Sequence, residues 1–377
     1  MDRLKSFAKA IVEHCCAVQP GERVLVEVTG CEDALAAEVI RAVYDAGGVP
    51  FYSQIWDSLQ AAWLERAGDE AVKKRAEWDE ARMREMDVYI GLRSNANSFD
   101  LSAVPADKTS LYRREYETPV HFRTRIPKTR WLVTRIPNAS MAQNAGMPTR
   151  EFEEFYYSCC GIDYDRFRAR MQPLAEAMRS AHNVRIKGEG VDLRFEMCGP
   201  GVSVCSGTRN IPAGEVFSAP ALESVEGYIR YNIPVRFNGM EFKGVRLGFE
   251  RGRIVDIRCE SGDAAALEAI FDTDEGARYI GEFAMGTNPF VDRVVGDILF
   301  DEKAAGSFHF TPGNSYEGCG NGNKSGIHWD MVYRMQSEYG GAEIWFDDTL
   351  IECDGLFVPD ELQPLNPENL RRALEMR

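Results

Sequence analysis

SGIHWDM, residues 325–331, sets a histidine and an aspartate two positions apart inside an apolar run. In an extended backbone, period-two alternation sends His328 and Asp330 to one face and Ile327, Trp329 and Met331 to the other. Imidazole nitrogen and carboxylate oxygen are metal-ligand types, although a pair this small also describes a simple hydrogen bond. Further ligand-type side chains stand among apolar or glycine neighbours. Glu215 lies between Gly214 and Val216, Glu282 between Gly281 and Phe283, His309 between Phe308 and Phe310, and Tyr316 follows Gly313-Asn314-Ser315. A lone buried carboxylate is costly, and a shared metal ion offsets that cost. Taken singly, each has a structural account: a turn glutamate, a helix-end carboxylate, a core histidine bonded to a carbonyl, a half-buried tyrosine. Together in one half of the chain, they weigh toward a metal site.

The elements that must position these groups divide into two kinds. RVLVEV (23–28) follows the turn-forming Gln-Pro-Gly, ALAAEVIRAVYDAGG (34–48) has helical spacing, and VPFYSQI (49–55) is a second strand. Strand, helix, strand with short connections makes a parallel unit covered by helices. DVYIGL (87–92) and RWLVTRI (130–136) extend the same sheet, so residues 1–182 read as an α/β domain of Rossmann-like topology. VTGCEDA offers a single glycine after the first strand, so no dinucleotide fingerprint accompanies that topology.

Beyond the long helical stretch 164–182 the pattern changes. Segments 184–198, 227–239, 242–260 and 342–358 alternate apolar and polar residues around glycine turns, which predicts an α+β, mostly antiparallel domain over residues 183–377. One helix, 263–274, interrupts it.

Composition narrows the partners. The 377 residues exceed the size of a usual single core, and 44% hydrophobic with 27% charged residues describes an ordinary globular protein. With 44 basic against 59 acidic side chains the net charge is -15, which argues against nucleic acid or an anionic membrane and for peptides or small molecules. The start, MDRLKSFAKAIVEHCC, lacks the apolar core of a signal peptide, and the expected location is the cytoplasm. Ten cysteines without a C-x-x-C pair fit reduced structural thiols.

NIPAGEVFSAP (210–220), GEFAMGTNP (281–289), ILFDEKAAGSFHF followed by GNSY, and GIHWDM resemble, in order, the catalytic-domain motifs of the aminopeptidase T and aminopeptidase S group of thermophilic-type metallo-aminopeptidases. QPGERVLVEV, PNASMAQNAGMPTREFEEFYY and VDLRFEMCG are similar to its upstream segments, so the resemblance covers nearly the whole chain. It implies two divalent ions (zinc, cobalt or manganese) held by Glu215, Glu282, His309, Tyr316, His328 and Asp330. A metal-bound hydroxide would hydrolyse the N-terminal residue from short peptides, with Glu282 or Glu215 as general base, Glu282 preferred. A homodimer is implied in the same way. The glycine-rich stretch 317–327 is shorter than in some members, which bears on pocket shape.

The scaffold is also similar to that of 2,5-dihydroxypyridine dioxygenases. There a single iron(II) would sit on His309, His328 and Asp330 for oxygen-dependent ring cleavage. The basic stretch from Lys108 to Arg150 could then grip an anionic ring or else form solvated surface pairs.

Overall fold

The computed structural model describes residues 2–30, 34–97, 99–237 and 239–375. The chain divides into two compact units, Met1–Glu154 with Gly207–Ile211, and Phe155–Ser206 with Pro212–Arg377.

The first unit is built on a parallel sheet. Its strands are ordered Val49–Ile55, Arg23–Gly30, Val88–Ser94, Arg130–Arg135 and Asn210–Ile211. Val24, Leu25, Val26 and Val28 are buried in one strand and Val88, Tyr89, Ile90 and Leu92 in the next. Such near-continuous burial requires helices on both faces, as a parallel sheet demands. Helix Ala34–Asp45 turns Leu35, Ala36, Val39 and Val43 inward, and Val72, Ala76 and Met83 of helix Asp69–Arg84 join Leu25, Tyr89, Tyr116 and Val120 in a core cluster. The stretch Arg113–Arg125 is wound as a π-helix with Pro119 inside it.

The second unit is mostly antiparallel. An eight-stranded sheet runs from Arg253–Arg258 at one edge to Leu356–Phe357 at the other, and a five-stranded sheet is ordered Val332–Arg334, Ser307–Pro312, Ile280–Gly286, Glu215–Ser218 and Ser203–Cys205. Phenylalanines join the two: Phe195 of the larger sheet lies 5.2 Å from Phe283 and 5.3 Å from Phe310, and Phe249 lies 5.8 Å from Phe310. Alternation along the strands then leaves the opposite face of the smaller sheet for Glu215, Glu282 and His309.

The expected division at 182/183 differs from the one observed in two places. Helix Tyr164–Ser180 groups with the second unit, because it packs on strands Ser203–Cys205 and Glu215–Ser218 and buries Phe167, Met171, Leu174 and Met178. Residues 207–211 return to the first unit, where Val133 N donates to Arg209 O (2.8 Å) and Thr134 Oγ1 to Ile211 O (2.9 Å). Among the described residues no helix is long and apolar enough to cross a membrane. The nine described cysteines are all free, and burial pushes the Cys16 and Cys205 thiols up to about 12.

Glu352, on strand Thr349–Cys353, is fully buried with neither carboxylate oxygen partnered, and burial alone pushes it up to about 8. The native state therefore keeps this proton over a range where the unfolded chain has released it. Stability falls as pH rises from about 4.5 to 8, and is level beyond. Glu352→Gln is expected to stabilise the protein by up to about 5 kcal/mol above pH 8, with the gain shrinking toward zero at acid pH. Urea unfolding across that range checks it; a gain independent of pH would contradict a buried neutral carboxyl.

Candidate metal centre

Three neighbouring strands of the smaller sheet carry the first ligands. Glu282 stands opposite Thr311, Ala284 opposite both His309 and Phe217, and Gly286 opposite Glu215. Cross-strand partners share a face, so Glu215, Glu282, His309 and Thr311 project together. Ala284 and Gly286, on the strand between Glu215 and His309, carry no long side chain on that face, and Phe217 shares it. His309 Nε2 lies 2.8 Å from Glu282 Oε1 and 3.5 Å from Glu215 Oε2. These three side chains are buried, at 1%, 4% and 5% exposure for His309, Glu282 and Glu215.

The 325–331 segment supplies the second pair. It lies outside the named strands but is tied to the end of strand Ser307–Pro312 and the turn after it: His328 bridges Gly313, Trp329 N donates to Pro312 O (3.1 Å), Phe310 N to Met331 O (3.1 Å) and Asn314 N to Ile327 O (2.7 Å). The expected alternation holds: Ile327, Trp329 and Met331 are buried, with Trp329 against Phe237, Phe242 and Phe271, while His328 and Asp330 stand on the other side. His328 Nδ1 donates to Asn314 O (2.8 Å), which leaves Nε2 toward Asp330 Oδ1 at 3.1 Å, and Thr311 Oγ1 donates to the same carboxylate oxygen (2.8 Å). Close backbone approach is needed here. Gly313 has φ +104°, and a Cβ on it would fall 2.2 Å from Ile327 O.

The glycine-rich stretch is pinned from beneath. Asn321 Nδ2 donates to Pro220 O and Ile280 O, and the buried Asn323 Nδ2 to Gly276 O and Gly313 O, each within 2.8 Å. Tyr316 is half exposed, with its ring edge-on to His328 at 4.9 Å.

Among the described residues three groups of ligand atoms result, each within 4.8 Å: Glu215, Glu282 and His309; Glu282, His328 and Asp330; Glu302, His309 and Asp330. Glu282 belongs to the first two. Five of the residues singled out in sequence thus converge, with Tyr316 beside them. Glu302 was not singled out, and neither was Lys303. Both are buried at the end of the short helix Ile298–Asp301, and Lys303 Nζ bridges Glu215 Oε1 (2.5 Å) and Glu302 Oε1 (2.6 Å). The one sequence signal was the charged triplet Asp301-Glu302-Lys303 inside an otherwise apolar motif.

The electrostatics are those of a site crowded with carboxylates. Burial raises Glu282, opposed by His309, and pushes Glu302 up to about 8 against the pull of Lys303. Burial works against protonation of the imidazoles, yet Glu282 and Glu215 carry His309 up to about 9, and Asp330 carries His328 up to about 10. Asp330, despite burial, is held below the usual carboxylate range by His328. One atom shows what such a set lacks: Glu215 Oε2 is buried and accepts no hydrogen bond. Lys303 holds the other oxygen of that carboxylate, so the free one is turned to the ligand group. Carboxylates with imidazoles are a donor set suited to divalent ions, and binding would displace the imidazole protons.

The model of the family described as thermophilic metalloprotease (M29) matches residues 1–343. Aminopeptidase T of Thermus thermophilus is 37% identical over 205 residues, 50% of this chain and 48% of that protein. This chain therefore aligns with about half the length of that relative. Aminopeptidase AmpS of Bacillus subtilis is 25% identical over 403 residues, covering 96% of this chain and 97% of its own. The solved structure of wild-type AmpT from Thermus thermophilus has the same fold, with a TM-score of 0.78 at 21% identity over 95% of this chain and 99% of that one. A match that runs from residue 1 to residue 343, across every ligand-type residue described above, makes this chain a member of the thermophilic metalloprotease (M29) family.

Proposed function

We propose that the protein is a metal-dependent aminopeptidase that releases N-terminal residues from short peptides, using two divalent ions. The observation that carries this reading is the overlap of the ligand groups: Glu282, His309 and Asp330 each belong to two of them, and of these Glu282 joins the group of Glu215 and His309 to that of His328 and Asp330 with a carboxylate whose two oxygens suit a ligand shared between ions. Glu215 and His309 would complete one ion's shell, and His328 and Asp330 the other's. Divalent ions held there would polarise the peptide carbonyl, acidify a water molecule and bind the substrate's free amine.

The chain's own groups do the rest. His328 is oriented by Asn314 O and Asp330 by Thr311, so these ligands are fixed before any ion arrives. Lys303 holds Glu215 and Glu302 apart from one another's charge. Glu302 stands within the cluster beside His309 and Asp330 yet outside the two shells named above, and we assign it the proton-accepting role on that placement. The sequence reading prefers Glu282 for that role; here Glu282 is assigned to holding ions because it joins the group of Glu215 and His309 to that of His328 and Asp330, which Glu302 does not. Four carboxylates converge, more than the single carboxylate required by a mononuclear iron site, so ring cleavage is not the reading carried forward. A homodimer, implied by the resemblance, and a cytoplasmic location, expected from an N-terminal stretch without the apolar core of a signal peptide, complete the proposal.

Metal analysis of the purified protein, followed by a panel of aminoacyl substrates with free and blocked amines, tests it. About two zinc, cobalt or manganese ions per chain and cleavage only of free-amine substrates are expected; about one iron and no hydrolysis would overturn it. Glu282→Gln should lose more metal than Glu215→Ala or Asp330→Ala. Glu302→Gln should keep metal and lower kcat by about 10²–10⁴-fold.

Lys303 is a second point of test. Replacing it with methionine leaves Glu215 and Glu302 facing each other without a cation, a loss of the kind that costs about 3–5 kcal/mol. Thermal unfolding should show the larger loss in chelator-treated protein and a smaller one after loading with a divalent ion, which supplies positive charge to the same carboxylates. Equal losses in both states would contradict this role.

A further inference from the structure

The basic stretch from Lys108 to Arg150 contributes to none of the ligand groups, and most of its cations are accounted for. Arg113 pairs with Glu117 (3.8 Å), Arg114 with Glu115 (2.8 Å), Arg150 with Glu154 (3.3 Å) and Arg130 with Glu22, while Lys108 Nζ donates to Ala67 O (2.7 Å). Among the described residues Arg125 has no carboxylate within ion-pair distance. It turns inward within the first unit, its guanidinium carbon 4.8 Å above the Tyr89 ring and 4.9 Å above the Trp131 ring. Its Nε donates to His121 Nδ1 (3.2 Å), and its Nη1 is buried without a partner.

Trp131 gathers a second cation. The Arg209 guanidinium carbon stands 5.2 Å from the same ring, and the indole Nε1 is itself buried and unpartnered. Among the described residues of this unit, the buried side-chain polar atoms left without partners are Arg82 Nε, Arg125 Nη1 and Trp131 Nε1, and all are donors. The carboxylate facing the cluster, Glu27, is already engaged: it accepts from Tyr89 OH (2.7 Å) and pairs with Arg93 (3.3 Å), which also donates to Thr29 Oγ1 (2.7 Å). His121 brings no compensation, since burial, and then the Arg125 charge, push it down to about 4 and keep it neutral. Arg93 and Arg125 thus face one carboxylate between them, and Arg209, on the same indole, adds its charge to that of Arg125 with no carboxylate of its own among the described ion pairs. Buried donors left unmade are costly. Water could accept from each, but only an anion would also offset the excess charge.

We propose that Arg125, Arg209 and the indole N–H of Trp131 form a binding site for a small oxyanion, a carboxylate or a phosphate group. Guanidinium forks match the paired oxygens of both, and the indole supplies a third donor from the side. The proposal is independent of the chemistry assigned to the metal centre.

Calorimetric titration of the full-length, metal-loaded protein with inorganic phosphate and, separately, with acetate tests it, in a HEPES buffer whose ionic strength is held with chloride. Arg209 is exposed, so Arg209→Met keeps the fold while removing one fork of the site. Wild type is expected to bind about one more anion per chain than Arg209→Met, and its thermal midpoint to rise by a few degrees with an anion that fails to shift the variant. A response to phosphate alone marks a phosphoryl group as the ligand; a response to acetate marks a carboxylate. Arg125→Met should behave as Arg209→Met does; if it fails to fold, the Arg209 variant decides. Equal binding by wild type and Arg209→Met, or no binding of either anion, overturns the proposal.

Discussion

Four carboxylates are brought within reach of one another above a single sheet face, and everything around them serves to make that tolerable. Like charges in a low-dielectric setting repel strongly and lose their water. In the chain itself the compensation comes from Lys303 and from two imidazoles driven toward their charged forms. That arrangement is a stand-in as well as a support, since positive charge is provided where divalent ions would provide it. The unpartnered Glu215 Oε2 marks where the stand-in falls short.

Holding such a cluster requires a rigid base, and the strand pattern provides it. Phe283, Phe308 and Phe310 face the larger sheet while Glu282, His309 and Thr311 face the other way, so one alternating register fixes both the packing and the ligands. A shift by one residue would exchange them, burying ions in the phenylalanine layer. The 325–331 segment is fixed in the same double way: backbone bonds from Trp329 N to Pro312 O and from Phe310 N to Met331 O set its register, and Trp329, wedged among three phenylalanines, anchors its apolar side.

The sequence made the local parts of this plain and the long-range parts obscure. The β-branched run at 23–28 and the helix at 34–45 were legible because a parallel sheet writes its burial as continuous apolar segments. His328 and Asp330 were legible because their apolar alternates are so large. Glu302 and Lys303 were not, since Asp301-Glu302-Lys303 has the composition of an exposed helix end. Only the fold carries it inward, where Asp301 accepts from Val295 N and Gly296 N, and Glu302 and Lys303 reach the carboxylates. The limits of the first unit were hidden for a related reason: helix Tyr164–Ser180 reads the same whichever sheet it covers, and two residues at 210–211 are too short to announce a strand.

That short strand bears on how the protein can be inherited. The chain leaves the first unit after Glu154, re-enters it for Gly207–Ile211, and departs again only four residues before Glu215. Neither unit is a continuous segment of the gene. A recombination event that exchanged everything after residue 154 would also replace the edge of the parallel sheet, so a single crossover at that point does not exchange one unit whole and leave the other untouched.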